Sequence, residues 1–92
     1  MSASPSPARR VEDLVREAQA SIVARFEALD GGARFRPHAW DRAGGGGGTA
    51  MVLEGGDTFA KVGINVSAVH GTEVPASLAA AHPEAAGKPF FA

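Results

Sequence analysis

The residues predict an α+β fold in which an N-terminal amphipathic helix is followed by antiparallel strands. Three patterns carry that expectation. Apolar residues recur every three or four positions from Arg9 to Leu29, the repeat of a helix with one covered stripe. From Thr58 to Val69 apolar and polar residues alternate, the period of a pleated strand with one covered face. Gly55-Gly56-Asp57 is turn chemistry that folds this strand back on the short run Ala50 to Glu54.

In chain order, residues 1–8 form a Ser/Pro/Ala leader expected to be disordered, with Ser6-Pro7 placed to cap and open a helix. The helical stripe is Val11, Leu14, Val15, Ala18, Ile22, Phe26 and Leu29. It directs Glu12, Arg16, Gln19 and Glu27 away from the partner surface. Glu12 and Asp13 suit the positive end of the helix dipole, and Asp30-Gly31-Gly32 supplies the stop. Arg34 to Trp40, broken by Pro37, reads as an irregular edge strand. Five glycines, Gly44 to Gly48, then lead to the strand at Ala50 to Glu54. Beyond His70-Gly71 the chain is Ala/Pro-rich, with one helical turn expected at Ser77 to Ala81. Phe90-Phe91 looks like the start of another element.

Composition narrows the class. The chain has 92 residues, nine Lys+Arg against ten Asp+Glu, and no cysteine. A net charge of −1 argues against a nucleic-acid partner, which needs clustered Lys and Arg to displace counterions. Without Cys there is no disulfide framework and no thiolate zinc site. No run reaches the roughly 20 apolar residues of a membrane span, and no signal-like stretch follows Arg9-Arg10, so a cytoplasmic location is expected. A chain of this size buries only about 60–65% of its unfolded surface. With twelve Gly, five Phe and one Trp, an independent stable fold is not expected.

The glycine run does not read as a phosphate loop, because Thr49 and Ala50 follow it without the Lys that such a loop requires. It reads instead as a flexible connection between strands, or as a loop that lets a ligand or another segment approach the main chain. His38, His70 and His82 show no metal-ligand spacing, and Ser67 has neither a nucleophile elbow nor an assigned base. Arg34, Arg36, Arg42 and Lys61 could each meet an anion but form no converging set along the sequence.

Several fragments stand in order without a gap: Trp40-x-Arg42, Gly45 to Gly48, Val52-Leu53, Gly56, Phe59-x-Lys61-x-Gly63-Ile64-Asn65-x-Ser67 and Val69-His70-Gly71. This series resembles the N-terminal part of aerobic (oxygen-dependent) coproporphyrinogen III oxidases. The family reads Trp-x-Arg, a Gly tetrad, Val-Leu, a Gly turn, Phe-Glu-Lys-Ala-Gly-Val-Asn-x-Ser and Val-x-Gly. The resemblance runs from about Ala33 to Ala92. It departs at Ala60, where Glu is usual, at Val62, where Ala is usual, and at Ala50-Met51, commonly a polar pair.

The resemblance implies a large, helix-flanked antiparallel sheet, with residues 9–92 as the N-terminal portion of a single larger domain truncated at its C-terminus. It implies an oxidoreductase of heme and porphyrin biosynthesis that oxidatively decarboxylates two propionates of coproporphyrinogen III to vinyl groups, giving protoporphyrinogen IX. Molecular oxygen would be the co-substrate and no organic cofactor would be needed, with a divalent metal left open for the full-length enzyme. A homodimer is implied, with Val52, Phe59, Ile64 and Val66 as interface candidates. The family's catalytic, substrate-binding and metal positions would fall beyond Ala92, so none is assigned here and the chain alone is expected to be inactive. The alternative reading is a small strand-pairing interaction module without catalysis, using the strand at 58–69.

Overall fold

A computed structural model describes residues 4–92, so the first three residues of the expected leader lie outside the described residues. Helix α1 spans Pro7–Asp30. Strands β1 (Arg36–Asp41), β2 (Gly46–Glu54) and β3 (Lys61–Gly71) follow, then the short helix α2 (Ala76–Ala81), a 3-10 turn at Pro83–Ala85 and a two-residue strand β4 (Phe90–Phe91). The α+β expectation holds: one long helix lies against a four-stranded antiparallel sheet in the order β1-β2-β3-β4.

Local chemistry sets the ends of α1. The Ser6 hydroxyl accepts the Arg9 N–H at 3.2 Å, and Pro7 opens the first turn, where its missing N–H costs nothing. The last two residues of the leader are therefore helical. At the other end Gly31 takes the left-handed conformation (φ 79°) and donates its N–H to the Glu27 carbonyl, the glycine stop that the sequence predicts.

β1 is an edge strand, exposed along its whole length, and Pro37 sits within it opposite Met51. β2 and β3 pair from Gly46↔Val69 to Glu54↔Lys61. Two of the glycine run's expectations change here. From Gly46 onward the run is strand rather than loop, and β2 is nine residues long instead of five. The reason is steric. A Cβ on Gly46 would collide with the Ala68 backbone, and one on Gly48 would come within 2.7 Å of the Trp40 indole. The glycines are the positions where neighbouring chain segments come closest, and that space is filled by the protein itself.

The buried face of α1 also differs from expectation. Leu14 and Leu29 are 64% and 69% exposed, and Val11 and Ile22 are exposed as well. The residues turned to the sheet are Gln19, 8% exposed, with half-buried Glu12, Val23 and Phe26. Gln19 was expected on the outer face. It is instead held by its amide, as described below, and a hydrogen-bonded polar group can stand where apolar periodicity alone would forbid it.

The core is small: Phe35, Leu53, Val66 and Val74 are the buried hydrophobic residues among those described. The chain is a slab with extents of 50 × 40 × 21 Å and a radius of gyration of 17.1 Å, against about 12 Å for a compact domain of this length. Its accessible surface is 6585 Å², where a compact monomer of this mass would show about 5,000 Å².

Candidate functional site

Two polar clasps fix the geometry of the sheet. The first is Asp30, the last residue of α1 and only 4% exposed. Its Oδ2 accepts the N–H groups of Ala33 (2.8 Å), Gly32 (3.2 Å) and Asp57 (3.1 Å), while Oδ1 accepts those of Thr58 (2.8 Å) and Phe59 (2.9 Å). A carboxylate at the negative end of a helix dipole is disfavoured, but five converging donors outweigh that. They hold the Asp30 carboxyl well below its ordinary 3.8; the Ala33 N–H contributes most, then those of Phe59 and Thr58, against an opposing effect of burial. The clasp binds the end of the helix to the β2–β3 turn, and the Phe26 and Phe59 rings pack beside it with centroids 5.2 Å apart. Sequence reading took Asp30 only as part of a stop; a carboxylate followed by two glycines was the available signal.

The second clasp is Arg42. Its guanidinium donates to the His70 carbonyl at 3.0 Å and more weakly to the Gly45 carbonyl at 3.4 Å, and it lies 5.8 Å from the centroid of the Phe90 ring. It therefore joins the β1–β2 turn to the end of β3 and to β4. Between the clasps, the Gln19 amide donates to the Thr49 carbonyl (2.9 Å) and the Ile64 carbonyl (2.8 Å), bridging β2 and β3 from above.

Of the four cations considered from sequence, the structure brings two together. Arg34 and Arg36 line one groove of about 700 Å³ with His38, Val52 and Glu54. Arg34 is 3.6 Å from Glu27, and Lys61 is 3.6 Å from Glu54. Arg42 is committed to its clasp. A second, largely apolar groove of about 310 Å³ lies between the first turns of α1 and the end of β3, with Val11, Val15, Ala68, Val69 and Phe91 in its lining beside Ser67 and His70.

Ser67 is exposed, and no hydrogen bond joins it to a base among the described residues. His82 Nδ1 lies 3.3 Å from Glu84 Oε1, both exposed. Among the described residues no three His, Asp or Glu side chains come together as a bound cation would need. No helix among them is long and apolar enough to cross a membrane.

The interface candidates do not share one surface. Val66 is buried and Ile64 half-buried on the face of β3 under the helix, and Phe59 is half-buried against Phe26. Val52 faces the opposite side, in register with Arg36 and in the cationic groove.

Residues 10–92 match the family model described as coproporphyrinogen III oxidase. Over 88 residues, 96% of this chain, it is 43% identical to the oxygen-dependent coproporphyrinogen-III oxidase of Prochlorococcus marinus (strain MIT 9313), covering 25% of that protein. It is 42% identical over 96 residues to coproporphyrinogen-III oxidase 1, chloroplastic, of Arabidopsis thaliana, with 99% of this chain and 25% of the relative covered. To the chloroplastic oxygen-dependent enzyme of Nicotiana tabacum it is 44% identical over 95 residues, 97% of this chain and 24% of the relative. The chain thus spans about a quarter of the length of the curated relatives it matches.

Proposed function

The chain belongs to the coproporphyrinogen III oxidase family, and from that premise we propose that it serves the oxygen-dependent conversion of coproporphyrinogen III to protoporphyrinogen IX. The observation that carries this reading is the extent of the match, which takes in residues 10–92 without leaving a separate unit for another task. In the proposed reaction each of two propionate side chains loses its carboxylate as CO₂ and becomes a vinyl group. For each propionate one dioxygen takes up the two electrons released and, with two protons, becomes hydrogen peroxide. The two decarboxylations together consume two dioxygen molecules and give two of CO₂ and two of hydrogen peroxide. No organic cofactor enters this balance.

What this chain contributes is scaffold. Asp30, Gln19 and Arg42 tie helix, turn and strand ends into one layer, while among the described residues no nucleophile is hydrogen-bonded to a base. The catalytic groups belong to other parts of a family enzyme, and the 92 residues alone are inactive. A homodimer is part of the same proposal. So is a cytoplasmic location, although the chloroplastic relatives show that the family occupies more than one compartment. A self-standing strand-pairing module has no comparison in its support.

The test is a chimera in which residues 10–92 replace the matched stretch of the Prochlorococcus marinus (strain MIT 9313) enzyme. Oxygen-dependent formation of protoporphyrinogen IX by the chimera, and none by the 92-residue chain, is the expected outcome. A folded chimera without turnover would refute the reading.

A further inference from the structure

Alternation along the strands sorts side chains onto two faces of the sheet. Leu53 and Val66 are buried on the side of α1. Arg36, His38 and Trp40 stand on the opposite face of β1, successive members about 7 Å apart, and all three are exposed. Register sets Val52, Ala50 and Gly48 beside them on β2, with Gly63, Asn65 and Ser67 one strand further on. The floor of this uncovered face is therefore small or flat, and its two ends differ. At one end Arg36 and His38 line the groove of about 700 Å³ together with Val52. At the other the Trp40 indole packs over Gly48, whose missing side chain makes room for it. Arg34 shares its charge with Glu27, and Glu54 is met by Lys61. Arg36 pairs with no carboxylate among the described residues.

We propose that this face receives coproporphyrinogen III, with Arg36 and His38 holding a propionate that the reaction leaves on the ring and Trp40 lying against the macrocycle. The identity of the ligand rests on the functional reading above. Charge and shape are complementary: the substrate is an apolar ring system with an anionic rim, and the face is a small-residue floor with an indole at one end and an unpaired guanidinium at the other. The guanidinium can meet both oxygens of a carboxylate, and a neutral His38 imidazole can add one hydrogen bond. Which propionate is held follows from the chemistry. A carboxylate that departs as CO₂ loses its charge during the reaction, so a cation gripping it would favour the substrate over the transition state. A propionate that persists keeps its charge and is held equally well throughout. Arg36 is thus an anchor, and its signature is an effect on binding without one on the rate of the bound substrate.

The test uses the chimera that carries residues 10–92 in the Prochlorococcus marinus (strain MIT 9313) enzyme. Arg36→Gln is expected to raise KM for coproporphyrinogen III about tenfold, leave kcat within about twofold and leave the thermal midpoint unchanged. Binding of coproporphyrinogen III without oxygen, where no turnover occurs, should weaken by the same factor. Arg36→Lys keeps the charge and should recover part of the loss, whereas Arg36→Glu should exceed it, and the differences should shrink as salt is raised. Arg25→Gln, at an exposed position on α1, should alter none of these readings. Unchanged KM and binding in Arg36→Gln and Arg36→Glu, a fall in kcat at constant KM, or an equal effect from Arg25→Gln would each overturn the proposal. So would weakened binding that comes with a lowered thermal midpoint in all three Arg36 variants, since Arg36 would then be structural. The functional reading fails separately: a chimera that binds coproporphyrinogen III through Arg36 and does not convert it in air would refute the reaction and leave the site standing.

Discussion

The Asp30 carboxylate and the Phe59 N–H meet at 2.9 Å across 29 residues of sequence, joining the end of the helix to the turn that starts β3. Four more main-chain donors converge on the same two oxygens. An amide of the same shape cannot replace that carboxylate, because its NH₂ would face donors with a donor. Asp30→Asn in the chimera is therefore expected to lower the thermal midpoint by about 5–15 °C. Asp57→Asn, at an exposed position, should change it little; equal effects of the two changes would count against the clasp.

The same carboxylate predicts a pH dependence. Its folded-state pKa is depressed, so the stability it contributes is present above its ordinary value of 3.8 and is lost as pH falls below it. The gap in thermal midpoint between the parent chimera and Asp30→Asn should be constant between about pH 7 and pH 5 and narrow as the pH is taken towards 2. Scanning calorimetry across that range measures it, and a gap that widens on acidification would contradict the assignment.

Glycines of the sheet should separate into two kinds. Gly46 has φ 85° and the Ala68 backbone where a side chain would go, so Gly46→Ala is expected to cost about 2–4 kcal/mol. Gly63, with open space at its Cβ position, should accept Ala at no cost or with a gain of about 0.5 kcal/mol. Chemical denaturation of the two variants ranks them, and a neutral Gly46→Ala would show that β2 and β3 are not in this register.

Gln19 gives a substitution that hydropathy scales would misjudge. Replacing it with Met keeps the side-chain volume and raises apolarity at a buried position, yet removes both bonds to the Thr49 and Ile64 carbonyls. A loss of about 1–2 kcal/mol is expected on denaturation. A gain in stability would mean that the amide is tolerated there and not needed.

Much of this arrangement is legible in the residues. The Ser6-Pro7 opening, the Gly31 stop, the alternation along β3 and the edge position of the Pro37-containing strand each follow from a rule acting within a few positions, although Pro37 does not break β1. What sequence reading missed depends on partners far along the chain. Gln19 looks like a solvent-facing residue until β2 and β3 place two carbonyls beneath it. Gly46 to Gly48 look like a loop until Trp40 and Ala68 are seen to occupy the space a side chain would need. Arg34 and Arg36 form a pair only because β1 folds back beside Val52. Val52 and Ile64 lie on opposite faces of the sheet because Val52 stands opposite Gly63, one residue from Ile64.

The clasp at Asp30 also has a kinetic side. Its Asp57, Thr58 and Phe59 bonds close a loop of about thirty residues that contains β1 and β2, and that closure costs entropy before they can form. Asp30→Asn is therefore expected to act mainly on the rate at which the chain comes apart, with little change in the rate at which it comes together.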